Sequence, residues 1–178
     1  MSRSDLVFLD TETTGLDPTR HEVWEIAIIE ADSDAMHHWI VSVQDLLSAD
    51  PDALRVNKYY ERLFNPPEKS LSIQTPTFAL AIEIATLLLN KTIIGNKPSF
   101  DTAFLDAFLR RQGVVPAWNR SLVCVKSLVG GKLGLEPPYD TKKIAEAIGV
   151  PLPKYAHTAR ADATWVRDVY HKIYGGSR

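Results

Sequence analysis

The stretch FLDTETTGL at residues 8–16 decides how this chain folds. The apolar run that begins at Leu6 leads into it and predicts a buried central strand. Side chains on a strand alternate between its two faces, so Asp10 and Glu12 emerge on the same side. The TTG sequence that follows turns the chain. The two carboxylates therefore lie together at a strand terminus, where α/β folds usually place their sites.

The remaining strands and helices follow from hydrophobic patterning. Residues 22–30 and 36–43 are rich in β-branched and aromatic side chains, and their short connections predict an antiparallel three-strand meander with the first strand. Further strands are predicted at 92–95 and 121–125, helices at 51–63, 76–90, 100–111, 141–148 and 159–174, and a loop at 130–140. This order predicts an α/β fold with a mixed sheet of about five strands, the first three antiparallel, and helices on both faces.

Composition limits the class of protein. The chain has 178 residues and 45% apolar content, which suits one domain spanning residues 1–178. Its net charge of -2 lacks the basic excess of proteins that grip duplex DNA, so any nucleic-acid footprint should be small. The single Cys124 fits a reducing cytoplasm, where it would be an inert core thiol. The longest apolar stretch, residues 78–89, is too short to span a bilayer, so we expect no membrane partner.

A third acid, Asp101, falls on the core-facing side of its predicted helix. Phe104, Leu105 and Phe108 follow it at helical spacing and share its stripe. Asp106 is rotated well off that stripe and serves as an internal control. An inward-facing acid requires a compensating partner, although Asp101 could instead cap the start of the helix.

Asp162 repeats this arrangement near the start of the last helix. Its apolar stripe consists of Trp165, Val166, Val169 and Ile173. Asp168 falls off that stripe and should be a solvated surface charge. Four acids that converge would repel one another unless cations or protons neutralise them.

Oxygen ligands without a Cys or His cluster favour hard cations, so the sequence predicts Mg²⁺ or Mn²⁺ rather than zinc. Two divalent ions would balance the negative charge of four carboxylates. Paired ions roughly 3.5 to 4 Å apart support in-line displacement at a phosphodiester, since they can activate water and stabilise the leaving oxygen.

His157 lies five residues before Asp162, outside the predicted helix and close enough for its side chain to face the metal centre. Imidazole has an unperturbed pKa of about 6.5, which suits a general base that deprotonates water near neutral pH. A lone loop histidine is often incidental, and only the position of His157 relative to Asp162 distinguishes it from the other histidines.

Together the motifs resemble the DEDDh 3′-5′ exonucleases, the group that includes proofreading exonuclease subunits, ribonuclease T and oligoribonuclease. The three family blocks appear in order as FLDTETTGL with Asp10 and Glu12, NKPSFDTAFL with Asp101, and HTARAD with His157 and Asp162. The five-residue interval between the last two residues matches the histidine subgroup, because Thr158 stands where the tyrosine subgroup requires Tyr.

The resemblance implies a ribonuclease H-like fold and a role for each residue. Asp10 would bridge two metal ions, Glu12 and Asp162 would help to hold the ion on the nucleophile side, Asp101 would support the second, and His157 would activate water. The resemblance also implies that the 3′ terminus binds beside Thr13, Gly15 and Leu16, with Leu16 wedged against the terminal bases. Asn96 and Phe100 match the second block, and structural roles are open for both.

One segment departs from the family pattern. Many relatives carry a His-Gly-Ile-type segment after the third strand, and ALRVNKYYERL at 53–63 stands there instead. The expected function is 3′-5′ exonucleolytic hydrolysis of single-stranded or frayed DNA or RNA, with DNA slightly favoured and nucleoside 5′-monophosphates released. A polymerase or replication complex is a possible partner. A non-catalytic nucleic-acid or polymerase-interaction module and a metal-dependent endonuclease are the alternatives.

Overall fold

The computed structural model describes residues 3–64, 72–154 and 157–175. The strands are β1 (Leu6–Thr13), β2 (Val23–Glu30), β3 (Met36–Val41), β4 (Ile73–Gln74), β5 (Thr92–Gly95) and β6 (Val123–Cys124). The α-helices are α1 (Pro51–Val56), α2 (Tyr59–Phe64), α3 (Phe78–Leu88), α4 (Pro98–Arg111), α5 (Val125–Leu133), α6 (Thr141–Ile148) and α7 (Ala159–Tyr174). Within those three ranges, no helix has the length and apolar character needed to cross a membrane.

The strands form one mixed sheet in the order β4-β3-β2-β1-β5-β6. β1 pairs antiparallel with β2, and β2 with β3, which confirms the predicted meander. β5 and β6 continue the sheet in parallel from β1, and the short β4 pairs in parallel with β3. β1 therefore lies inside the sheet, between β2 and β5, and carries the two acids near its end.

Helices cover both faces of the sheet, as predicted. Because side chains alternate along β1, Leu9 packs on the face covered by α3 and α4, while Phe8 packs on the face covered by α5, α6 and α7. Phe104 on one face and Val166 on the other are almost fully buried. Burying a side chain of this kind contributes about 1.5 to 3 kcal/mol. These two layers fix α4 and α7 against opposite faces of β1.

A β-bulge lies beside the carboxyl end of β1. Glu12 is opposite Glu25 and Thr13 is opposite Val23, so Trp24 is an extra residue in β2. The bulge turns the Trp24 ring into a small third core, where it packs edge-on against Tyr59 at a centroid distance of 5.0 Å. This packing holds α1 and α2 next to the end of β1.

The prediction of one continuous helix at 51–63 is wrong, because the segment forms two short helices. It is divided into α1 and α2 at Lys58, whose φ of 54° lies in the left-handed region. One continuous helix would place Ala53, Val56, Tyr60 and Leu63 on a single apolar face, but Val56 and Tyr60 are about half exposed. Leu54 and Tyr59 are buried instead. The break allows the two short helices to follow the curved surface around Trp24.

The region after β5 also differs from prediction. The strand predicted at 121–125 is β6, which consists of Val123–Cys124 only. Helix α5 occupies part of the loop predicted at 130–140. Two glycines argue locally against a helix, yet the burial of Val125 and Val129 holds it in place. A side chain at Gly130 would overlap the Tyr139 ring, so glycine here permits close packing. The short β4 is a sixth strand that hydrophobic patterning did not indicate.

Candidate active site

The predicted acids and His157 share one cleft at the carboxyl end of β1. The cleft has a volume of about 590 Å³. β1 supplies Asp10 and Glu12 from a single face, while the first turns of α4 and α7 supply Asp101 and Asp162. Carboxylates are electrostatically favourable in the first turn of a helix, because the N-terminal end of the helix dipole is positive. Residues from distant parts of the sequence thus meet as predicted.

Asp101 is held by β1 rather than by its own helix. It is only 4% exposed, and its Oδ1 accepts hydrogen bonds from the Thr11 backbone N–H at 3.0 Å and from the Thr11 hydroxyl at 2.8 Å. These bonds hold the carboxylate beside β1, where its charge raises the pKa of Asp10. Helix α4 begins at Pro98, so Asp101 lies inside the first turn and is not the N-cap residue.

His157 and Asp162 are linked through the backbone. The His157 N–H donates to Asp162 Oδ2 at 2.9 Å, and Thr158 caps α7 by accepting from the Ala161 N–H. One ring nitrogen of His157 and one oxygen from each of Glu12 and Asp162 lie within 4.8 Å of one another. The His157 side chain is exposed and its φ is 65°, so a left-handed turn presents the imidazole to the cleft.

The pKa values of all four acids are raised. Burial is the largest cause for each, and it raises the pKa of Asp101 to about 7. Mutual repulsion adds to this effect, since Asp101, Glu12 and Asp162 each raise the pKa of Asp10. Each unit of such a shift corresponds to about 1.4 kcal/mol. The arrangement is therefore electrostatically costly without added positive charge, and its all-oxygen acids suit divalent cations.

This cost predicts how the stability of the metal-free protein depends on pH. Acids with raised folded-state pKa values stabilise the fold fully below their unfolded values near 4, and that contribution is lost as pH rises through the folded values. We therefore expect the metal-free Tm of the wild type, relative to that of Asp101→Asn, to fall between about pH 4 and about pH 7, the folded-state pKa of Asp101. Mn²⁺ at about 100 times its Kd should then restore about 2.7 kcal/mol, or roughly 5–10 °C, at the higher pH.

Differential scanning calorimetry in EDTA and in Mn²⁺ measures both effects. Using the difference from Asp101→Asn removes the contributions of unrelated groups such as His171, whose pKa is lowered by burial. A Tm difference that does not change with pH would contradict the assignment of these acids as a mutually repelling cluster.

Four of the five predicted substrate-binding residues line the cleft, namely Thr13, Leu16, Asn96 and Phe100. Leu16 is 75% exposed at its edge. The Phe100 ring packs on Phe104 at 4.8 Å between centroids and lies 5.7 Å from the Lys97 ammonium, so it joins the core to the cleft. Asn96 is half-buried, and its backbone carbonyl accepts from the half-buried thiol of Cys124.

Gly15 is buried behind the cleft and supports the turn that carries Leu16. A Cβ on Gly15 would lie 2.4 Å from the ring of His21. That ring cannot move freely, because its Nδ1 accepts a hydrogen bond from the Asp17 N–H at 3.0 Å. Arg111 holds the same turn by donating to the Pro18 carbonyl. Glycine is therefore required here for lack of space.

We expect Gly15→Ala to destabilise the protein by about 1–3 kcal/mol, the usual cost of overpacking. Gly131→Ala is a matched control, because Gly131 lies in α5 and an added Cβ there would meet no atom within 4 Å apart from its chain neighbours and its own helix backbone. Thermal unfolding of the two variants measures the difference. Equal Tm values would show that the turn adapts and that His21 does not constrain it.

Three other acids do not line the cleft and are engaged locally. Asp17 accepts from the Thr19 N–H and hydroxyl in an exposed turn, and these hydrogen bonds lower its pKa. Asp106 pairs with Arg110, and Asp168 pairs with Arg167, at the protein surface. Helical periodicity therefore separated Asp106 and Asp168 from the converging acids, in agreement with their surface positions.

Glu25, which lies directly opposite Glu12 on the neighbouring strand β2, was not predicted from the sequence. Glu25 is fully buried and accepts from His38 at 2.8 Å, from Arg62 at 2.7 Å and from the Ala159 N–H at 3.0 Å. Burial raises the pKa of Glu25, but the His38 and Arg62 interactions outweigh it, so the pKa lies below its usual value and the group is charged. One signal was present in the sequence, namely an acid within the apolar strand VWEIAIIE.

Asn57 was also missed. It is 3% exposed, lines the cleft, and donates from Nδ2 to the Thr13 carbonyl at 2.9 Å. This bond ties the break between α1 and α2 to the end of β1. The residue stands within the segment that departs from the family pattern, and nothing in its local sequence indicated the contact.

Comparison with known proteins identifies the family. The family model described as Exonuclease (RNase_T) matches residues 7–170. A search among curated proteins finds no match.

Solved structures show the same fold. The chain is similar to E. coli Exonuclease I in complex with a dT13 oligonucleotide, with 16% identity and a TM-score of 0.69 over 93% of this chain and 40% of that chain. It is also similar to S. pombe Pop2p in its Mg²⁺ and Mn²⁺ bound form, with 14% identity and a TM-score of 0.67 over 96% and 83% of the two chains. It thus spans about 40% of the length of Exonuclease I. The predicted ribonuclease H-like fold is confirmed, and the chain belongs to the exonuclease family of the DEDDh 3′-5′ type.

Proposed function

We propose that this protein is a metal-dependent 3′-5′ exonuclease that acts on single-stranded or frayed nucleic acid and releases nucleoside 5′-monophosphates. One observation carries the proposal: Asp10, Glu12, Asp101 and Asp162 converge with His157 in one cleft, and the pKa values of all four acids are raised. Perturbed acids that cluster in a cleft are typical of functional sites. Family membership supports the reaction type.

The donor set fits two divalent ions, Mg²⁺ or Mn²⁺. The four acids would hold them, and the positive charge would offset the repulsion that raises the pKa of Asp10. When bound, such ions stabilise the charge that develops on the phosphate and leaving oxygens. The similar Pop2p structure is a Mg²⁺ and Mn²⁺ bound form, which supports this choice.

The remaining chemistry is assigned to residues of the chain. The exposed imidazole of His157 lies beside Glu12 and Asp162 and would take the proton from the attacking water. Thr11 would keep Asp101 in place through its two hydrogen bonds. The carboxylates would thereby stay ionised and oriented while the phosphodiester is cleaved.

The edge of the cleft suits a 3′-terminal nucleotide. Leu16 would wedge against the terminal base, and Phe100, with Lys97 nearby, would offer a stacking surface and a positive charge. Thr13, Gly15 and Asn96 would shape the pocket for the last sugar. We propose a slight preference for DNA, because the similar Exonuclease I structures are described with dT13 and dA16 oligonucleotides.

The small cleft and the net charge of -2 favour a short footprint. Low processivity would follow, unless a polymerase or replication complex keeps the enzyme at the 3′ end. We propose that residues 1–178 act as a single exonuclease domain in either setting.

Linear and circular single strands of one sequence separate the candidate functions. An exonuclease should release nucleoside 5′-monophosphates from the linear strand in Mg²⁺ or Mn²⁺ and spare the circle. Cleavage of the circle would indicate an endonuclease instead. Tight binding of the linear strand without metal-dependent turnover would favour a non-catalytic binding module. The presence of all four acids argues against that alternative.

A further inference from the structure

A buried ionic cluster outside the carboxylate site holds the segment that carries His157. The cluster consists of Glu25 on β2, His38 on β3 and Arg62 on α2, with the N-terminal N–H of α7 as an additional donor. Glu25 Oε1 accepts from both His38 and Arg62, and Oε2 accepts from the Ala159 N–H. Every partner of this fully buried carboxylate belongs to a different element. The cluster therefore fixes α2 and the start of α7 relative to the sheet.

Arg62 extends this cluster toward the cleft. Its Nη2 lies 2.7 Å from Glu25, and its Nη1 donates to the His157 carbonyl at 3.4 Å. The guanidinium also lies over the Trp24 ring, 4.6 Å from the centroid, and the side chain is only 13% exposed. A planar guanidinium presents several donors in fixed directions, so it can bind both partners at once.

The backbone around His157 is consequently held at three points. Asp162 accepts from the His157 N–H, Arg62 donates to the His157 carbonyl, and Glu25 accepts from the Ala159 N–H. The His157 side chain is exposed, so packing does not fix its direction. Its φ of 65° is unusual for a residue other than glycine and requires support from the surroundings. The position of the imidazole therefore depends on these backbone contacts.

We propose that Arg62, braced by Glu25 and Trp24, is a positioning residue that holds His157 and Asp162 in their working arrangement. The inference rests on the proposed function, because it assigns Arg62 a part in the same hydrolytic step. Arg62 acts through the backbone of residues 157–159 and is not itself a catalytic residue. Small displacements of a reacting group lower the rate steeply, so the effect should fall on kcat rather than on substrate binding.

The test compares Arg62→Met with Arg110→Met in the full-length chain. Arg110 lies in the last turn of α4, and it and its partner Asp106 are at the surface and do not line the cleft, so its loss removes a surface pair only. We expect Arg62→Met to lower kcat about 10- to 100-fold, the usual effect of losing a residue that orients a ligand, with KM changed by less than about threefold. Arg110→Met should leave both constants unchanged. Equal kcat values for the two variants would overturn the proposal.

Hydrogen–deuterium exchange provides a readout that does not depend on turnover. Amides of residues 157–164 should exchange faster in Arg62→Met, while those of β1 and β2 keep their protection. If the wild type shows no nuclease activity, the proposed function fails, and the exchange of residues 157–164 alone decides whether Arg62 positions this segment. Unchanged exchange there would overturn the inference.

Arg62→Lys is a second variant that still tests the proposal if Arg62→Met does not fold. Lysine keeps the positive charge beside Glu25 but lacks the fork that also reaches the His157 carbonyl. We expect global protection close to that of the wild type, faster exchange at 157–164 and a reduced kcat. Full recovery of kcat by Arg62→Lys would show that charge is sufficient and would contradict positioning by the two-donor contact.

Discussion

Asp10→Asn should lower kcat by about 10³-fold or more in Mg²⁺ or Mn²⁺, because divalent ions contribute several kcal/mol to phosphoryl transfer and Asp10 is central to their site. Asp10 lies among Glu12, Asp101 and Asp162, each of which raises its pKa. Asparagine keeps the size of the side chain but removes the negative charge. Steady-state kinetics on a single-stranded oligonucleotide measures the loss.

Stability separates this loss from misfolding. Removal of one of several mutually repelling acids should leave the metal-free Tm of Asp10→Asn equal to that of the wild type or higher, since the buried charge is costly there. Mn²⁺ should raise the Tm of the wild type but hardly that of the variant. Asp106→Asn is a matched control, because Asp106 lies on α4 with its partner Arg110 at the surface. A wild-type kcat in Asp10→Asn would contradict the assignment of this cleft as the catalytic site.

His157→Asn should lower kcat by about 10²- to 10⁴-fold, the usual contribution of a general base. Asparagine tolerates the left-handed backbone at φ 65°, so this change removes the imidazole while preserving the turn. KM should change little, because the ring is assigned to proton transfer. The measurement is kcat and KM on the same oligonucleotide used for Asp10→Asn.

His37→Asn is the control for this second variant. His37 lies on β3 and bonds to Glu30 at 2.8 Å, on the sheet face of Trp39 and away from α7. It should keep wild-type kcat. If His37→Asn and His157→Asn lose activity equally, or if neither does, the assignment of His157 as the base is wrong.

The converging acids were predictable because their placement depends on local periodicity. Asp10 and Glu12 are two residues apart on a strand, and Asp101 and Asp162 each precede an apolar stripe at helical spacing. Local geometry fixes the direction of such side chains once the elements pack. The same reasoning excluded Asp106 and Asp168, which the structure places at the surface.

Features that depend on long-range packing were not predictable in this way. Helix α5 contains Gly130 and Gly131, which disfavour helices locally, and it exists because Val125 and Val129 are buried. The break at Lys58 follows from packing around Trp24, where a bulge turns the ring toward α2. Tertiary contacts outweighed local propensity in both places.

The partners of Glu25 illustrate the same limit at the site. An acid inside an apolar strand signals a buried ionic contact, but Arg62 lies 37 positions further along the sequence and Ala159 lies 134 positions further. Neither residue has a local pattern that directs it to β2. Sequence periodicity therefore located the acids, and the interval to Asp162 located the imidazole, whereas the structure was needed to find what holds them in place.

A time course on 5′-labelled single-stranded DNA and RNA of matched sequence tests the central claim most directly. With Mg²⁺ or Mn²⁺, the labelled strand should shorten by one nucleotide at a time from its 3′ end and keep its label, somewhat faster for DNA. EDTA and Asp10→Asn should abolish the ladder. Release of the label as the first product, or intact strands of both kinds under all metal conditions, would contradict a 3′-5′ exonuclease.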